Sequence, residues 1–176
     1  MVELAFILPI LVVLVFGIVD LGRLIQARLV VTNVSREGGS LASRDIRDGA
    51  ALISMLQSSA TPLDLKTANG RIWLTRIKSG TTAGDPDPYI HTRHTGGTLV
   101  AASSVTGSVG DTPAGLSSVL FNHLRYNSTN NTSDIAEVTV VEVFYLYRPV
   151  TPLPEFMQNL ILPGGQGLLI GSKAVF

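Results

Sequence analysis

An unbroken apolar run from Leu4 to Val19 opens the chain, bounded by Glu3 and Asp20. As an α-helix these 16 residues would be about 24 Å long, slightly less than the ~30 Å hydrocarbon core of a bilayer. Leu21 and the residues after it can supply the missing length. Because such a run is too apolar to face water, we expect it to lie in a membrane or among neighbouring apolar helices.

Beyond this run the pattern becomes one-sided, because apolar residues recur every three or four positions: Ile18, Leu21, Leu24, Ile25, Val31 and Val34. Together the two patterns predict one helix from Val2 to about Ser35. Pro9 removes a backbone donor inside it, which predicts a kink or a locally opened turn. The adjacent Gly38 and Gly39 predict that the helix breaks or thins there.

A cleaved secretory signal is the alternative interpretation of the run. Such a signal has an apolar stretch of about 7–15 residues that follows a basic segment and ends at a small-x-small site. Here the run is longer, no Lys or Arg precedes it, and the helical pattern continues past Arg23. We therefore expect the helix to be retained. Gly17 and Gly22 would let another helix approach it closely.

The remaining pattern predicts a small head of mixed structure. A short helix is expected at Asp48–Ser58, with Asp48 as its cap and Leu52, Ile53 and Leu56 on one face. A second helix is expected at Asp111–Asn127, capped by Asp or Thr, with an apolar stripe of Leu116, Val119, Leu120 and Leu124. Strands are expected at Arg71–Lys78, Ile135–Arg148 and Leu168–Phe176.

Ile135–Arg148 is apolar on both faces, as is typical of a central strand that is covered on both sides. Prolines 149, 152 and 154 end it, and a Pro163-Gly164-Gly165 turn precedes the last strand. Ser79–Gly110 is predicted to be a long loop with one short strand near Leu99–Val105, and a loop of this length is usually a functional surface or a mobile excursion. The fold class is therefore α+β with a mainly antiparallel sheet, divided into an N-terminal transmembrane or assembly helix (1–44) and a head (45–176).

Charge and composition exclude several classes of protein. Lys plus Arg equals Asp plus Glu at 13 each, so nothing in the charge favours a nucleic-acid partner. The absence of cysteine excludes disulfides and thiolate metal sites. Nucleophile-elbow, dinucleotide and phosphate-loop motifs are absent, and we predict no catalytic residue and no cofactor.

One cluster has metal-ligand residue types: Asp85, Asp87, His91 and His94. It lies in a Pro-rich segment without a third nearby histidine or a general base at zinc-protease spacing, so a solvated loop is the better interpretation and no metal is predicted.

His123 is interpreted as a partly buried polar residue on a helix. Three Asn-x-Ser/Thr matches between Asn127 and Ser133 carry little weight because the pattern is short.

Glu3 has two open interpretations. A carboxylate at the head of an apolar helix is costly to bury unpaired. It either lies at the membrane interface, where the helix dipole favours it, or pairs with a cation such as the α-amino group of a neighbouring subunit.

The order of features Val2–Phe6, Leu8-Pro9 and Phe16–Arg23, followed by Thr32–Gly39, resembles the opening of the TadE-like pseudopilins. These are subunits of the tight-adherence branch of type IV pili. The resemblance covers roughly the first 40 residues. It implies a single-pass inner-membrane precursor with its head outside, cleaved by a prepilin peptidase and then built into a surface filament by the pilus assembly machinery.

Two details depart from that pattern. In the wider pilin class a glutamate at the fifth mature position pairs with a neighbour's amine, whereas Glu3 is third here. Either two residues and a leader precede this chain, or the spacing is unusual. Arg23 and Arg28 follow the apolar run, so positive-inside counting would place the head in the cytoplasm. A basic leader would reverse that count.

The sequence therefore predicts a pilin or minor pilin that acts in surface attachment and contacts other pilin subunits through its first helix. The alternative is a monomeric, membrane-anchored extracytoplasmic binding or adhesion domain that uses loop 79–110. The residues expected to act in assembly are Glu3, Phe6, Pro9, Phe16, Gly17, Asp20 and Arg23.

Overall fold

The computed structural model of the chain describes residues 2–44, 48–149 and 167–176, with side chains from Ile7 onward. Its elements, in chain order, are α1 (Val2–Ser43), α2 (Gly49–Ser59), β1 (Gly70–Lys78), β2 (Tyr89–Gly96), α3 (Ser118–Leu124), β3 (Glu137–Tyr147) and β4 (Leu168–Val175). The predicted proline link after Pro149 and the Pro163–Gly165 turn lie outside the described residues. The predicted α+β class, with a long N-terminal helix and an antiparallel sheet, is confirmed.

The four strands form one sheet in the order β2-β1-β3-β4, and every neighbouring pair is antiparallel. β3 is central, as its sequence predicts, and residues on both of its faces are buried between Val138 and Val143. Both faces of the sheet are covered. α1 and α2 pack on one face, and α3 with the irregular segment 97–117 packs on the other.

Strand β2 was not predicted, and the short strand expected near Leu99–Val105 is absent from the described structure. The reason is the position of β2 at the edge of the sheet. Ile90 is its only fully buried residue, so the strand shows no alternation of apolar and polar positions. Leu99 and Val105 are buried, but in backbone that forms no ladder.

Helix α1 is longer than predicted, because it continues through both Gly38 and Gly39 to Ser43. The expected break there is wrong. A Cβ atom at Gly38 would lie 2.7 Å from Leu56 Cδ1, and one at Gly39 would lie 2.1 Å from the Phe176 ring. The two glycines therefore let the helix lie close to its neighbours. The helix also continues through Pro9.

The larger apolar core lies between the sheet and the helices α1 and α2. It includes Ala27, Val31 and Val34 of α1, the predicted Leu52, Ile53 and Leu56 of α2, and Ile72, Leu74, Val141 and Val143 of the sheet. Asp48 is at the N-cap position of α2, but its side chain makes no capping hydrogen bond.

Helix α3 is shorter than predicted, and its cap is Ser117, whose side chain accepts a hydrogen bond from the Leu120 N–H at 3.3 Å. The preceding residues are not helical because Thr106 and Ala114 pair through two backbone hydrogen bonds of 2.9 and 3.1 Å. Leu124 is buried in a second, smaller core, whereas Val119 of the predicted stripe is exposed.

Candidate assembly helix and its junction with the head

The first half of α1 is an apolar surface that the head does not cover. Ten large apolar side chains between Ile7 and Leu21 are exposed. The helix is long and apolar enough to cross a membrane, and no residue of its most apolar 18-residue stretch is buried inside the protein. This exposure distinguishes α1 from the core helix of a soluble protein, which would be mostly buried.

The second half of the same helix belongs to the head. Ala27, Val31 and Val34 are almost inaccessible to solvent. Ser35 and Ser172 join their hydroxyl oxygens at 2.8 Å, and Arg76 Nη2 donates to the Ala42 carbonyl oxygen at 3.1 Å. One continuous helix therefore has two environments, with its second half fixed to the sheet.

Asp20 marks the change between these environments. Its side chain is buried, and the Tyr147 hydroxyl donates to the Asp20 carbonyl oxygen at 2.9 Å and lies 3.5 Å from Oδ1. Burial and the charge of Asp20 raise the pKa of Tyr147 above its usual 10.0, while Arg23 opposes this change. The end of β3 therefore contacts α1 immediately after the apolar run.

A cleft of about 240 Å³ opens beside this contact, between α1 and the end of β3. Its polar lining includes Arg23, Tyr145, Tyr147 and Arg148. Both arginines are exposed, and neither makes an ion pair within the described residues. The cleft therefore holds two guanidinium groups that are open to solvent.

The structure places the predicted assembly residues in different surroundings, and their role in assembly stays a prediction. Glu3 and Phe6 lie within α1, but their side chains are outside the described part. Pro9 is exposed, Phe16 is half-buried, and the Cβ position of Gly17 has no neighbour within 4 Å.

Asp20 and Arg23 are brought against the end of β3, a contact that the sequence did not predict. Tyr145 and Tyr147 are two residues apart and so lie on one face of the strand, directly before Arg148. That spacing was the available signal. It did not show which helix the aromatic pair would meet.

The irregular segment 97–117, most of it in the predicted long loop, is held to the sheet by side chains. Trp73 Nε1 donates to the Ala101 carbonyl oxygen at 3.0 Å, and Arg93 Nη2 donates to that of Val105 at 2.9 Å. Buried Glu142 accepts from the Ser104 N–H at 2.9 Å and from the Ser103 hydroxyl. Most of the segment is therefore a covering layer of the sheet.

Arg71 and Arg93 also stack on the indole of Trp73, with their Cζ atoms 4.6 and 5.7 Å from its ring centroid. Such cation–π contacts contribute about 0.5–2 kcal/mol each. They hold the arginines that donate to the irregular segment in place.

The metal-ligand residue types do not converge in the structure. No group of three or more His, Cys, Asp or Glu side chains in the described residues is arranged to hold a metal ion. Asp87 pairs with Arg125 at 3.0 Å instead. His123 is exposed rather than partly buried, and its Nδ1 lies 2.8 Å from Asp134 Oδ2.

These features define a class of protein: one exposed apolar helix, long enough to cross a membrane, that continues into the core of a small α+β head. Residues 1–40 match the TadE-like protein family, which confirms the resemblance found in the sequence. The match covers α1 almost to its end and none of the rest of the head. No curated protein and no solved structure matches the chain.

Proposed function

We propose that this chain is a pilin or minor pilin of a bacterial tight-adherence type IV pilus, a structural subunit that assembles through α1 for surface attachment. One observation carries the proposal. The first half of α1 exposes apolar side chains, while its second half is part of the core of the head. The TadE-like match to residues 1–40 supports it.

The exposed half of α1 must be covered by something apolar. Burying one Leu, Ile or Val side chain contributes about 1.5–3 kcal/mol relative to exposing it to water. Ten such side chains between Ile7 and Leu21 therefore represent on the order of 15–30 kcal/mol. That exceeds the ~5–15 kcal/mol stability of a typical domain, so the helix does not remain in water.

Lipid covers the helix before assembly, and helices of other subunits cover it afterwards. Lipid tails are as apolar as leucine, so this exchange gains little from the hydrophobic effect itself. Close packing and polar contacts between helices supply the preference for the filament. Gly17 and Gly22 support this step, because their Cβ positions have no neighbour within 4 Å and leave room for another helix.

The proposal includes an order of locations and partners. The subunit is held in the inner membrane with its head outside, is processed by a prepilin peptidase, and is transferred by the assembly machinery to a surface filament. Glu3 guides docking by pairing with a cation of the neighbouring subunit. Neither a nucleic acid nor a cofactor takes part.

Glu3→Ala tests the docking role. We expect this variant to stay in the membrane fraction but to be lost from filaments sheared off the cell surface. Glu37→Ala is the matched control, because it removes the same charge from an exposed position on the same helix and should leave the sheared fraction unchanged.

Two results would count against the proposal. Normal amounts of Glu3→Ala in sheared filaments would overturn the role of Glu3. Confinement of the wild-type chain to membranes, under conditions in which the cell makes pili, would overturn the pilin proposal and favour the anchored binding domain.

A further inference from the structure

The cleft between α1 and the end of β3 lies at a defined depth relative to the apolar run. The apolar run Leu4–Val19 spans about 24 Å as a helix, and the flanking residues from Val2 to Leu21 extend it to about 30 Å, close to the hydrocarbon thickness of a bilayer. Arg23 follows two residues later, about 3 Å further along the helix axis. When the run fills the membrane core, Arg23 therefore lies at the level of the lipid headgroups.

The head is held at the same level. The Tyr147 hydroxyl bonds to the backbone oxygen of Asp20, so the end of β3 cannot lie far from the membrane surface. Tyr145 and Arg148 line the cleft beside Tyr147. Tyrosines are enriched at this depth in membrane proteins, because the ring is apolar and the hydroxyl is polar.

The exposed hydrogen-bond donors at the cleft suit an anionic ligand. Arg23 and Arg148 are exposed and form no ion pair in the described structure. Two acids of the described structure act on the cleft tyrosines through their charge. Asp20 is buried against Tyr147, and Asp64 accepts from the Lys66 N–H and the Thr67 hydroxyl, both at 2.9 Å. Among the described residues that line the cleft, the two guanidinium groups and the exposed amide of Gln26 remain to donate to a ligand.

We infer that this cleft binds the phosphate of an anionic phospholipid headgroup, held between Arg23 and Arg148, while the subunit resides in the membrane. A planar guanidinium donates two parallel hydrogen bonds to phosphate oxygens, and the positive charge of one guanidinium already balances the single negative charge of a phosphodiester headgroup. The inference rests on the proposed function to the extent that α1 must cross a membrane. It also gives Arg23, one of the two arginines that follow the apolar run, a function that does not depend on the side to which the head is exported.

Native mass spectrometry of the full chain in detergent tests the inference, with short-chain phosphatidylglycerol as the probe. We expect one phosphatidylglycerol to bind saturably to the wild type and at least ~10-fold more weakly to Arg23→Gln/Arg148→Gln. Arg36→Gln/Arg125→Gln removes the same charge away from the cleft and should bind like the wild type. Equal weakening in both double variants would show attraction to net charge alone and overturn the inference.

Two further comparisons identify the ligand and the chemistry. Arg23→Lys/Arg148→Lys keeps the charge without the planar forks and should bind phosphatidylglycerol with intermediate affinity. Because both positions are exposed, this lysine variant should fold like the wild type, so it also serves as the control for folding. Inorganic phosphate should compete poorly, because it lacks the acyl chains that place the headgroup beside the helix. Competition by inorganic phosphate at equal concentration would overturn the lipid assignment.

Failure of this inference is distinguishable from failure of the proposed function. If Arg23→Gln/Arg148→Gln binds phosphatidylglycerol normally but is lost from sheared filaments, the cleft is a subunit contact and the lipid inference is wrong, while the pilin proposal stands. If the wild type binds phosphatidylglycerol through these arginines but never enters sheared filaments, the lipid inference stands and the pilin proposal falls.

Discussion

Replacing Gly38 by alanine separates the helix preference of a residue from the space that the fold leaves for it. In an isolated helix this change stabilises by about 0.8–1.0 kcal/mol, because alanine loses less backbone entropy than glycine. In the protein, the new methyl group would lie 2.7 Å from Leu56 Cδ1 and 3.1 Å from Val141 Cγ1. Both neighbours are fully buried and have no solvent to move into.

Overpacking of this kind costs about 1–3 kcal/mol. We therefore expect Gly38→Ala to lower the free energy of unfolding by up to ~2 kcal/mol after the gain in helix preference is subtracted. Gly22→Ala is the matched control on the same helix, because its Cβ position has no neighbour within 4 Å. It should raise the stability by up to ~1 kcal/mol.

Urea unfolding of the full chain in detergent micelles measures the free energy of unfolding of both variants. The single tryptophan, Trp73, reports on the sheet through its fluorescence. In a Leu56→Ala background the cavity should accommodate the Gly38→Ala methyl group, which gives a coupling energy of about 1 kcal/mol or more in a double-mutant cycle. Equal stabilisation by Gly38→Ala and Gly22→Ala, without coupling to Leu56, would refute the packing argument.

Two further predictions concern the head. Glu142→Ala should destabilise it by about 3 kcal/mol in the same urea assay, because the Ser103 hydroxyl and the Ser104 N–H lose a buried, charged acceptor. Glu137→Ala, which breaks a partly exposed pair with Arg76 at 2.8 Å, should cost at most ~1 kcal/mol, and a similar loss in both variants would contradict this account. The pKa values of Tyr145 and Tyr147 are both raised above the usual 10.0, mainly because of the burial of the two phenols. The negative charge of Asp64 adds to this effect at Tyr145, and that of Asp20 adds to it at Tyr147. The folded state therefore favours the neutral phenols, so their contribution to stability is complete below about pH 10 and is lost as the pH rises through the folded pKa values. Phenolate absorbance of the folded protein should show a late-titrating component that Tyr147→Phe reduces. A titration curve that keeps its late component unchanged in Tyr147→Phe would be inconsistent with this prediction.

The elements predicted correctly are those whose burial is repeated along a continuous stretch of chain. The first half of α1 is apolar all round, and β3 is apolar on both faces, so each shows its environment residue by residue. Leu52, Ile53 and Leu56 likewise mark the buried face of α2. Local spacing is sufficient for such elements, because helix and strand periods convert it directly into a face.

The elements that were missed depend on contacts between distant parts of the chain. β2 forms because it pairs with β1, although its own side chains show no apolar alternation. The pairing of Thr106 with Ala114 shortens α3, and close approach of Leu56 and Phe176 explains why the helix keeps two glycines. None of these contacts leaves a periodic signal in the sequence.

The same division applies to function. The sequence by itself determined that the chain carries an apolar helix of TadE-like pattern, because an unbroken apolar run of sixteen residues needs an apolar environment in any fold. Only the tertiary structure decided that the second half of this helix is part of the head and that Arg23 meets Tyr145, Tyr147 and Arg148 in one cleft. Hydrophobicity is a property of each residue, whereas a site made from two distant segments exists only after the sheet has placed them side by side.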